Sequence, residues 1–216
     1  MSTPYEKALA AIDAAHALDP KKIKAAGPAG AEEEVPYELH YANKMTAYLD
    51  KHISSSTSAS SSDAGAASEA LRLAVRAQHL RRWEVPRDGY PATKAGYHGW
   101  RNALKKRQAE LARGMCAEAG YGEAEAERVA ALVRKDGLLA GKGGGADPET
   151  QVLEDVACLV FLDDQFEEFE RGYDEEKVVA ILRKTWGKMS ERGHELALQI
   201  PMGERPLELV KKALGG

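Results

Sequence analysis

The chain has 216 residues and a formal net charge of −4, with 44% hydrophobic and 30% charged residues. This length supports a sizeable hydrophobic core, the composition is that of an ordinary globular domain, and the acidic balance argues against broad binding of nucleic acid. No run approaches the roughly 18 consecutive apolar residues of a membrane span, so we expect no membrane-spanning segment.

Cysteine usage and the N-terminal segment indicate a cellular compartment. Cys116 and Cys158 each have hydrophobic neighbours, which predicts two buried free thiols in a reducing environment. Residues 1–17 contain three charged side chains within a helical pattern, unlike a signal peptide. We therefore expect an intracellular, cytoplasmic protein with no membrane partner.

Apolar residues recur at helical spacing along most of the chain, and no stretch alternates in the manner of a β-strand. The predicted helix Pro4–Leu18 begins with a capping box, because Thr3 precedes it and Glu6 follows three residues later. The other predicted helices span 36–53, 68–83, 93–119, 123–135, 147–171, 174–192 and 194–200, with a final turn or two at 206–214. We expect an all-α fold of about seven or eight helices, forming one globular domain over residues 1–216.

Three stretches have the composition of loops. Ala25–Glu34 combines glycine, alanine and proline with three glutamates, which predicts a flexible surface loop. Residues 54–67 are serine-rich and predict a flexible insertion. Residues 140–147 are glycine-rich and predict a second flexible loop. Their glycines follow no strand and lack the spacing of a phosphate-binding loop, so they indicate no nucleotide site.

A dense polar cluster ends the predicted helix at 68–83 and supplies the first functional hypothesis. Its members are Arg76, Gln78, His79, Arg81, Arg82, Trp83 and Arg87. Residues three and four apart share a helix face, and like charges there repel by roughly a few tenths of a kcal/mol per pair. An anion relieves this repulsion, and the planar guanidinium group suits phosphate. The sequence therefore predicts a phosphate site at Arg76, Arg82 and Arg87.

Further residues extend this predicted substrate site. Trp83 or Tyr90 would stack a base, and Lys135 lies where a helix ends before the glycine-rich loop. The alternative for His79 is a packed or solvent-facing side chain. The alternative for the arginines is neutralisation by internal carboxylates such as Glu154.

Two acidic residues, Glu154 and Asp155, interrupt a run of leucines and valines that is otherwise apolar enough to be buried. A buried carboxylate costs roughly several kcal/mol unless it is paired or bound to a metal. Pairing with an arginine is one interpretation, and ligation of a divalent metal together with His79 is the other. His40, His98 and Glu154 are candidate further ligands, although no HExxH or CxxC spacing supports them. We predict His79, Asp155 and Glu154 as catalytic residues.

Several motifs resemble the family called domain of unknown function 4202. They are YELHYANKM at 37–45, ASEALRLAVRAQHLRRWEVPR at 67–87, GYHGWR at 96–101, LEDVACLVFL at 153–162 and ILRKTWGKMS at 181–190. The string RAQHLRRWEVPR is specific, and the matching stretches span most of the chain. The resemblance implies an all-α fold and provides no activity to transfer.

The chain is more distantly similar to the HD-domain metal phosphohydrolases. In this comparison His79 matches the histidine of the His-Asp pair, Asp155 matches the last aspartate, and His40 or Tyr41 falls near the first histidine. Leu80 stands where the paired aspartate would be, which argues against a two-metal site. The likeness implies an HD-like helical fold and a divalent metal held by His79 and Asp155.

Two classes of function are expected from these residues. The first is an HD-like metal-dependent phosphohydrolase, or a related enzyme, acting on a phosphorylated small molecule such as a nucleotide, with the metal polarising the phosphoryl group and activating water. The second is a non-catalytic binding module whose basic pocket holds a nucleotide or an RNA end. A third possibility is a structural network in which Glu154 and Asp155 saturate Arg76 and Arg82.

Overall fold

A computed structural model describes residues 1–26, 32–54, 67–137 and 147–215 of the chain. Most of these residues are helical, which confirms the predicted all-α class. The helices are α1 (Pro4–Ala17), α2 (Tyr37–Ser54), α3 (Glu69–Arg76), α4 (Lys94–Ala119), α5 (Glu123–Arg134), α6 (Pro148–Val160), α7 (Phe166–Glu170), α8 (Glu175–Trp186), α9 (Glu191–Ala197) and α10 (Glu204–Leu214). The predicted Ser-rich insertion at 54–67 and Gly-rich loop at 140–147 lie almost entirely outside the described residues.

A short antiparallel hairpin precedes α2, where the sequence predicted a loop and no strand. Its strands are β1 (Lys22–Ala26) and β2 (Glu32–Pro36), and Lys24 lies opposite Glu34. This cross-strand pair of opposite charges favours the observed register. The sequence gives little sign of β2 because glutamate has low strand propensity and the strand begins with three of them. The expected loop is therefore corrected to a hairpin.

Helix capping explains where most helices begin. The predicted capping box is present: Thr3 Oγ1 accepts a hydrogen bond from the Glu6 backbone N–H at 3.2 Å, and the Thr3 N–H donates to the Glu6 carboxylate at 2.8 Å. The described residues contain ten α-helices, more than the seven or eight expected, because the helix predicted at 147–171 is divided and the final turn or two predicted at 206–214 is a full helix. A π-helical turn at Phe161–Gln165 separates α6 from α7, and Ser190 caps a new helix after α8.

The helix α3 ends earlier than predicted, at Arg76 instead of Trp83. Residues 77–81 form turns, and a single 3₁₀ turn follows at Arg82–Glu84. Ala77 and Leu80 are nevertheless fully buried, so the apolar spacing continues where the helical backbone does not. The prediction that the polar cluster shares one helix face was therefore wrong.

One hydrophobic core joins the helices. The helix α3 lies within it, in contact with α1, α2, α5 and α6, and its Leu73 and Val75 have no exposed surface. The long helix α4 packs along α1 and α5, and α8 packs on α10. Cys116 and Cys158 are buried free thiols, as predicted. Within the described residues, none of the helices has the length and apolar character that crossing a membrane requires.

Candidate ligand-binding cleft

The turn that follows α3 places His79 beside an open cleft. The φ angles of His79 and Arg81 are 64° and 50°, so both residues occupy the left-handed region. Each such residue costs roughly 1–2 kcal/mol, and backbone strain of this kind concentrates at functional sites. The chain then continues into the 3₁₀ turn, so that Arg82 and Trp83 line the same cleft as His79.

The cleft has a volume of about 460 Å³ and opens to solvent. Four parts of the chain form its walls: the segment from Asp19 to the start of α2, the turn after α3, the start of α4, and the segment around the π-helical turn. Its basic residues are Lys21, Arg82 and Arg87, and its acidic residues are Asp19, Glu38 and Glu168. This volume falls within the range of small-molecule sites.

The ring of His79 is held by three neighbours. It stacks on Tyr41, with ring centroids 3.9 Å apart and planes 12° from parallel. Its Nε2 lies 3.3 Å from Arg82 Nη1, and its Nδ1 lies 3.6 Å from Glu38 Oε2. Since a guanidinium group only donates hydrogen bonds, Nε2 accepts, and the proton of the neutral imidazole lies on Nδ1. Burial and the positive charge of Arg82 lower the pKa of His79 well below its ordinary value, so the ring is neutral at pH 7.

Glu38 is a buried acid in the first turn of α2. Its side chain is 5% exposed, and its Oε2 makes no hydrogen bond. Burial, with a further contribution from the negative charge of Asp19, raises the pKa of Glu38 to about 8. Glu38 therefore keeps its proton at pH 7, and its contact with His79 joins two neutral groups and is not an ion pair.

The guanidinium group of Arg82 lies over an aromatic ring. Its Cζ is 4.7 Å from the centroid of Trp100, and the Trp100 indole N–H donates to the Val85 carbonyl at 2.9 Å. The ring is therefore fixed by its own hydrogen bond and holds the cation in place. Burial and the nearby charge of Arg101 lower the pKa of Arg82, although a guanidinium group stays charged at pH 7.

The π-helical turn Phe161–Gln165 forms part of another wall of the cleft. Gln165 Nε2 donates to the Tyr37 hydroxyl at 2.7 Å, and that hydroxyl donates to Asp164 at 3.3 Å. His40 Nε2 lies 3.0 Å from the other Asp164 oxygen. Turns of this type occur often at functional sites. Here the turn links α2 to the cleft wall and engages His40, one of the candidate metal ligands.

Four predicted site residues come together in the cleft: His79, Arg82, Trp83 and Arg87. Arg87 donates to two main-chain carbonyl oxygens at 2.8 and 2.9 Å, which fixes its orientation without neutralising it. The sequence therefore identified the basic side of the cleft, although these residues lie on turns and not on one helix face.

Other predicted substrate-binding residues lie elsewhere. Arg76 donates to Asp13 at 2.5 Å, and Lys135 donates to Glu154 at 2.5 Å. The side chain of Tyr90 is not among those that line the cleft. Neither of the expected arginine–carboxylate pairs forms, because Arg76 has a different acidic partner and Glu154 contacts lysines.

Of the two predicted metal ligands, His79 lines the cleft and Asp155 does not. Asp155 is fully buried in α6, and it accepts hydrogen bonds from His52 Nε2 at 2.9 Å, Gln151 Nε2 at 2.9 Å, and the Ser190 backbone N–H at 2.8 Å. The Ser190 hydroxyl donates to it as well. Although burial opposes ionisation, these donors lower the pKa of Asp155. Its role is to join α2, α6 and α9.

The donor atoms around His79 do not suit a metal ion. Its Nε2 faces the cationic Arg82, and its Nδ1 carries the proton. Across 1–26, 32–54, 67–137 and 147–215, no group of three or more His, Cys, Asp or Glu side chains is arranged to hold a metal. The single-metal site implied by the HD-domain likeness therefore does not fit the residues described.

Lys21, Glu38 and Trp100 are among the contributors to the cleft that sequence reasoning missed. Glu38 lies one turn before Tyr41 and two turns before Met45, on the buried stripe of α2. An acid on such a stripe is a recognisable signal, because burial of a carboxyl group needs a reason. Lys21 lies next to the unexpected hairpin, and its position depends on that structure.

Comparison with known proteins identifies the family and no activity. The family model described as "Domain of unknown function (DUF4202)" matches residues 6–210, so the chain belongs to this family. No curated protein and no solved structure matches the chain at a significant level.

Proposed function

We propose that this member of the DUF4202 family binds a phosphorylated small molecule, with a nucleotide as the best-fitting ligand, in the cleft beside His79. The observation that supports this most directly is the lack of a carboxylate partner, among the described residues, for the Arg82 side chain in the cleft. Its guanidinium group lines the cleft and, within the part of the chain described, has no carboxylate within 4.0 Å. A guanidinium group that has no carboxylate partner is able to bind phosphate through charge-assisted hydrogen bonds.

The charge balance inside the cleft favours an anion. Arg87 and Lys21 add positive charge, and Lys21 Nζ lies 4.2 Å from the centroid of the Tyr37 ring instead of on a carboxylate. Glu38 is neutral at pH 7. The two oxygens of Asp19 accept hydrogen bonds from the backbone N–H groups of Lys21 and Glu38, both at 2.9 Å. With Glu38 neutral, the cleft holds three basic side chains against two acidic ones, Asp19 and Glu168, and keeps an excess of positive charge.

Aromatic walls supply a surface for a base. Tyr37, Trp83, Trp100 and Phe169 all line the cleft, and because cations already lie over Tyr37 and Trp100, Trp83 and Phe169 are the rings for a base to stack on. Stacking of a base on such rings is worth about 1–3 kcal/mol in nucleic-acid-binding proteins. A ligand with a phosphate and a planar base would use both features of the site, whereas a simple anion would use one.

Binding measurements test this proposal. Isothermal titration calorimetry would compare inorganic phosphate, adenosine 5′-monophosphate and adenosine with the wild-type chain. We expect the monophosphate to bind more tightly than either fragment. Replacement of Arg82 by glutamine should weaken its binding by about tenfold to a hundredfold, since a charge-assisted hydrogen bond is lost.

Arg113→Gln is the matched control, because Arg113 is an exposed arginine of α4 paired with Glu110. It should bind as the wild type does. Absence of binding to any phosphorylated compound, or equal effects of the two substitutions, would reject the proposal.

A second candidate function, hydrolysis of the bound phosphate ester, is favoured by the neutral Glu38 carboxyl group in the cleft. A carboxyl group that is protonated at pH 7 is able to act as a general acid. In this scheme the oxygen of a water molecule attacks phosphorus and the bond to the leaving oxygen breaks. The Glu38 proton moves to the leaving oxygen, and a proton from the water restores the carboxyl group. This retains the phosphohydrolase chemistry expected from the HD-domain likeness without its metal.

Phosphate release from a panel of nucleotides tests the second candidate. Glu38→Gln should lower the rate by about 10²–10⁴-fold while binding is retained. The exposed Glu110→Gln should leave the rate unchanged. Turnover that requires Mn²⁺ or Mg²⁺ and does not depend on Glu38 would instead favour the metal-dependent HD-type enzyme. No turnover with intact binding would leave the binding module as the function.

A further inference from the structure

A second group of cations lies beside the cleft, on the first half of α4. Arg101 and Lys105 are four residues apart and therefore share a face of this helix. Both side chains are only half exposed. Within the described ranges, neither has a carboxylate within 4.0 Å. Two half-buried cations on one face, without counter-ions, are unfavourable unless an anion joins them.

These cations adjoin the phosphate site proposed above, because the Arg82 guanidinium group lies 4.7 Å from the ring centroid of Trp100, the residue that precedes Arg101 in α4. After burial, Arg101 is the group that most affects Arg82, whose pKa it lowers. Burial, followed by Lys135 and Arg101, lowers the pKa of Lys105. Arg82, Arg101 and Lys105 are therefore close enough for their charges to act on one another.

Few carboxylates neutralise the cations on this part of α4. Glu154 lies 2.5 Å from Lys135 Nζ and 3.4 Å from Lys188 Nζ, so its single charge is shared between two lysines. Arg101 and Lys105 receive no direct contact from it. An anion at this position would therefore meet unneutralised donors.

We propose that Arg101 and Lys105 form a second anion subsite adjoining Arg82, so that the preferred ligand has two or more linked phosphates, as in a nucleoside diphosphate. This inference rests on the proposed function, because the first phosphate occupies the Arg82 site. Linked phosphates are covalent neighbours, and adjoining cations bind them together. A monophosphate would leave the second subsite unused.

Calorimetry with inorganic phosphate, pyrophosphate and tripolyphosphate at one fixed ionic strength tests the inference. The wild-type chain should bind pyrophosphate about tenfold or more tightly than phosphate, as expected for added charge-assisted contacts. The double variant Arg101→Gln/Lys105→Gln should lose most of this preference while its affinity for inorganic phosphate stays within about twofold. Arg82→Gln should weaken binding of all three anions.

Lys106→Gln is the matched control, because Lys106 is the exposed neighbour of Lys105 and carries the same charge. Equal affinity for phosphate and pyrophosphate would overturn the second subsite while leaving the proposed function intact. The second subsite would also be overturned if Lys106→Gln lost as much pyrophosphate affinity as the double variant. Binding would then depend on the overall positive charge of the helix surface and not on Arg101 and Lys105. Failure of the wild type to bind phosphate, pyrophosphate or a nucleotide would reject the proposed function itself. Thermal unfolding verifies each variant, and Lys105→Gln alone replaces the double variant if that variant does not fold.

Discussion

Replacement of Glu38 by glutamine should stabilise the folded chain, and by an amount that grows with pH. The ordinary pKa of this carboxyl group is 4.5, and burial raises it to about 8. Below pH 4.5 both the folded and the unfolded chain hold the proton, so the group has no effect. Between pH 4.5 and 8 only the folded chain holds it, and stability falls as the pH rises. At pH 7 the loss is about 3 kcal/mol, at about 1.4 kcal/mol per pH unit.

Urea unfolding of the wild type and of Glu38→Gln at several pH values between 4.5 and 8 measures this difference. The variant should gain little at pH 4.5, apart from a constant offset, and about 3 kcal/mol by pH 7. Glu110→Gln is the control, because its carboxylate is 61% exposed and burial cannot penalise its charge as it penalises that of Glu38. A difference for Glu38→Gln that stays constant or decreases with pH would refute the buried neutral carboxyl group.

Five further substitutions test other parts of the structure by the same assay. Burial alone would raise the pKa of Glu154, but Lys135 and Lys188 lower it to about 2. Glu154→Gln should therefore lower the free energy of unfolding by about 3 kcal/mol at pH 7, and by less as the pH falls below 4.5. Asp155→Ala should lower the free energy of unfolding by about 3–5 kcal/mol, because several buried donors lose their acceptor. Its control is Asp50→Ala at an exposed position, which should lower the free energy of unfolding by about 1 kcal/mol or less. Equal losses in the two variants would contradict the structural role of Asp155. Gly193→Ala should cost about 1–3 kcal/mol, since its Cβ would lie 2.9 Å from the Asp155 carboxylate. The added Cβ of Gly114→Ala meets nothing within 4 Å and should stabilise the helix by up to about 1 kcal/mol.

The helices could be predicted because their signals are local. The Thr3 capping box and the apolar periodicity of each segment depend on residues within a few positions of one another. The end of α3 could not be predicted in this way. Leu80 keeps its apolar character and its burial after the helix has stopped, and nothing local distinguishes a left-handed turn at His79 from another helical turn. The hairpin was missed for a related reason, since a run of glutamates does not look like a strand.

The candidate site could be predicted only on its basic side. Arg82 and Arg87 were conspicuous in the sequence because like charges there are crowded together. Their partners were not visible, because which carboxylate meets which cation depends on tertiary packing. Asp155 was correctly recognised as an unusual buried acid, but its donors come from helices far apart in the sequence. The sequence could not show that His52 and Ser190, instead of His79, would satisfy it.

Nuclear magnetic resonance is the most direct test of where the ligand binds. The chain has three tryptophans, so an ¹⁵N-labelled sample has three indole N–H signals. Trp83 and Trp100 line the cleft, whereas Trp186 lines a separate small apolar pocket. Titration with adenosine 5′-monophosphate should shift the signals of Trp83 and Trp100 and leave that of Trp186 in place. A shift confined to Trp186, or no shift in any of the three at saturating nucleotide, would contradict binding in the cleft beside His79.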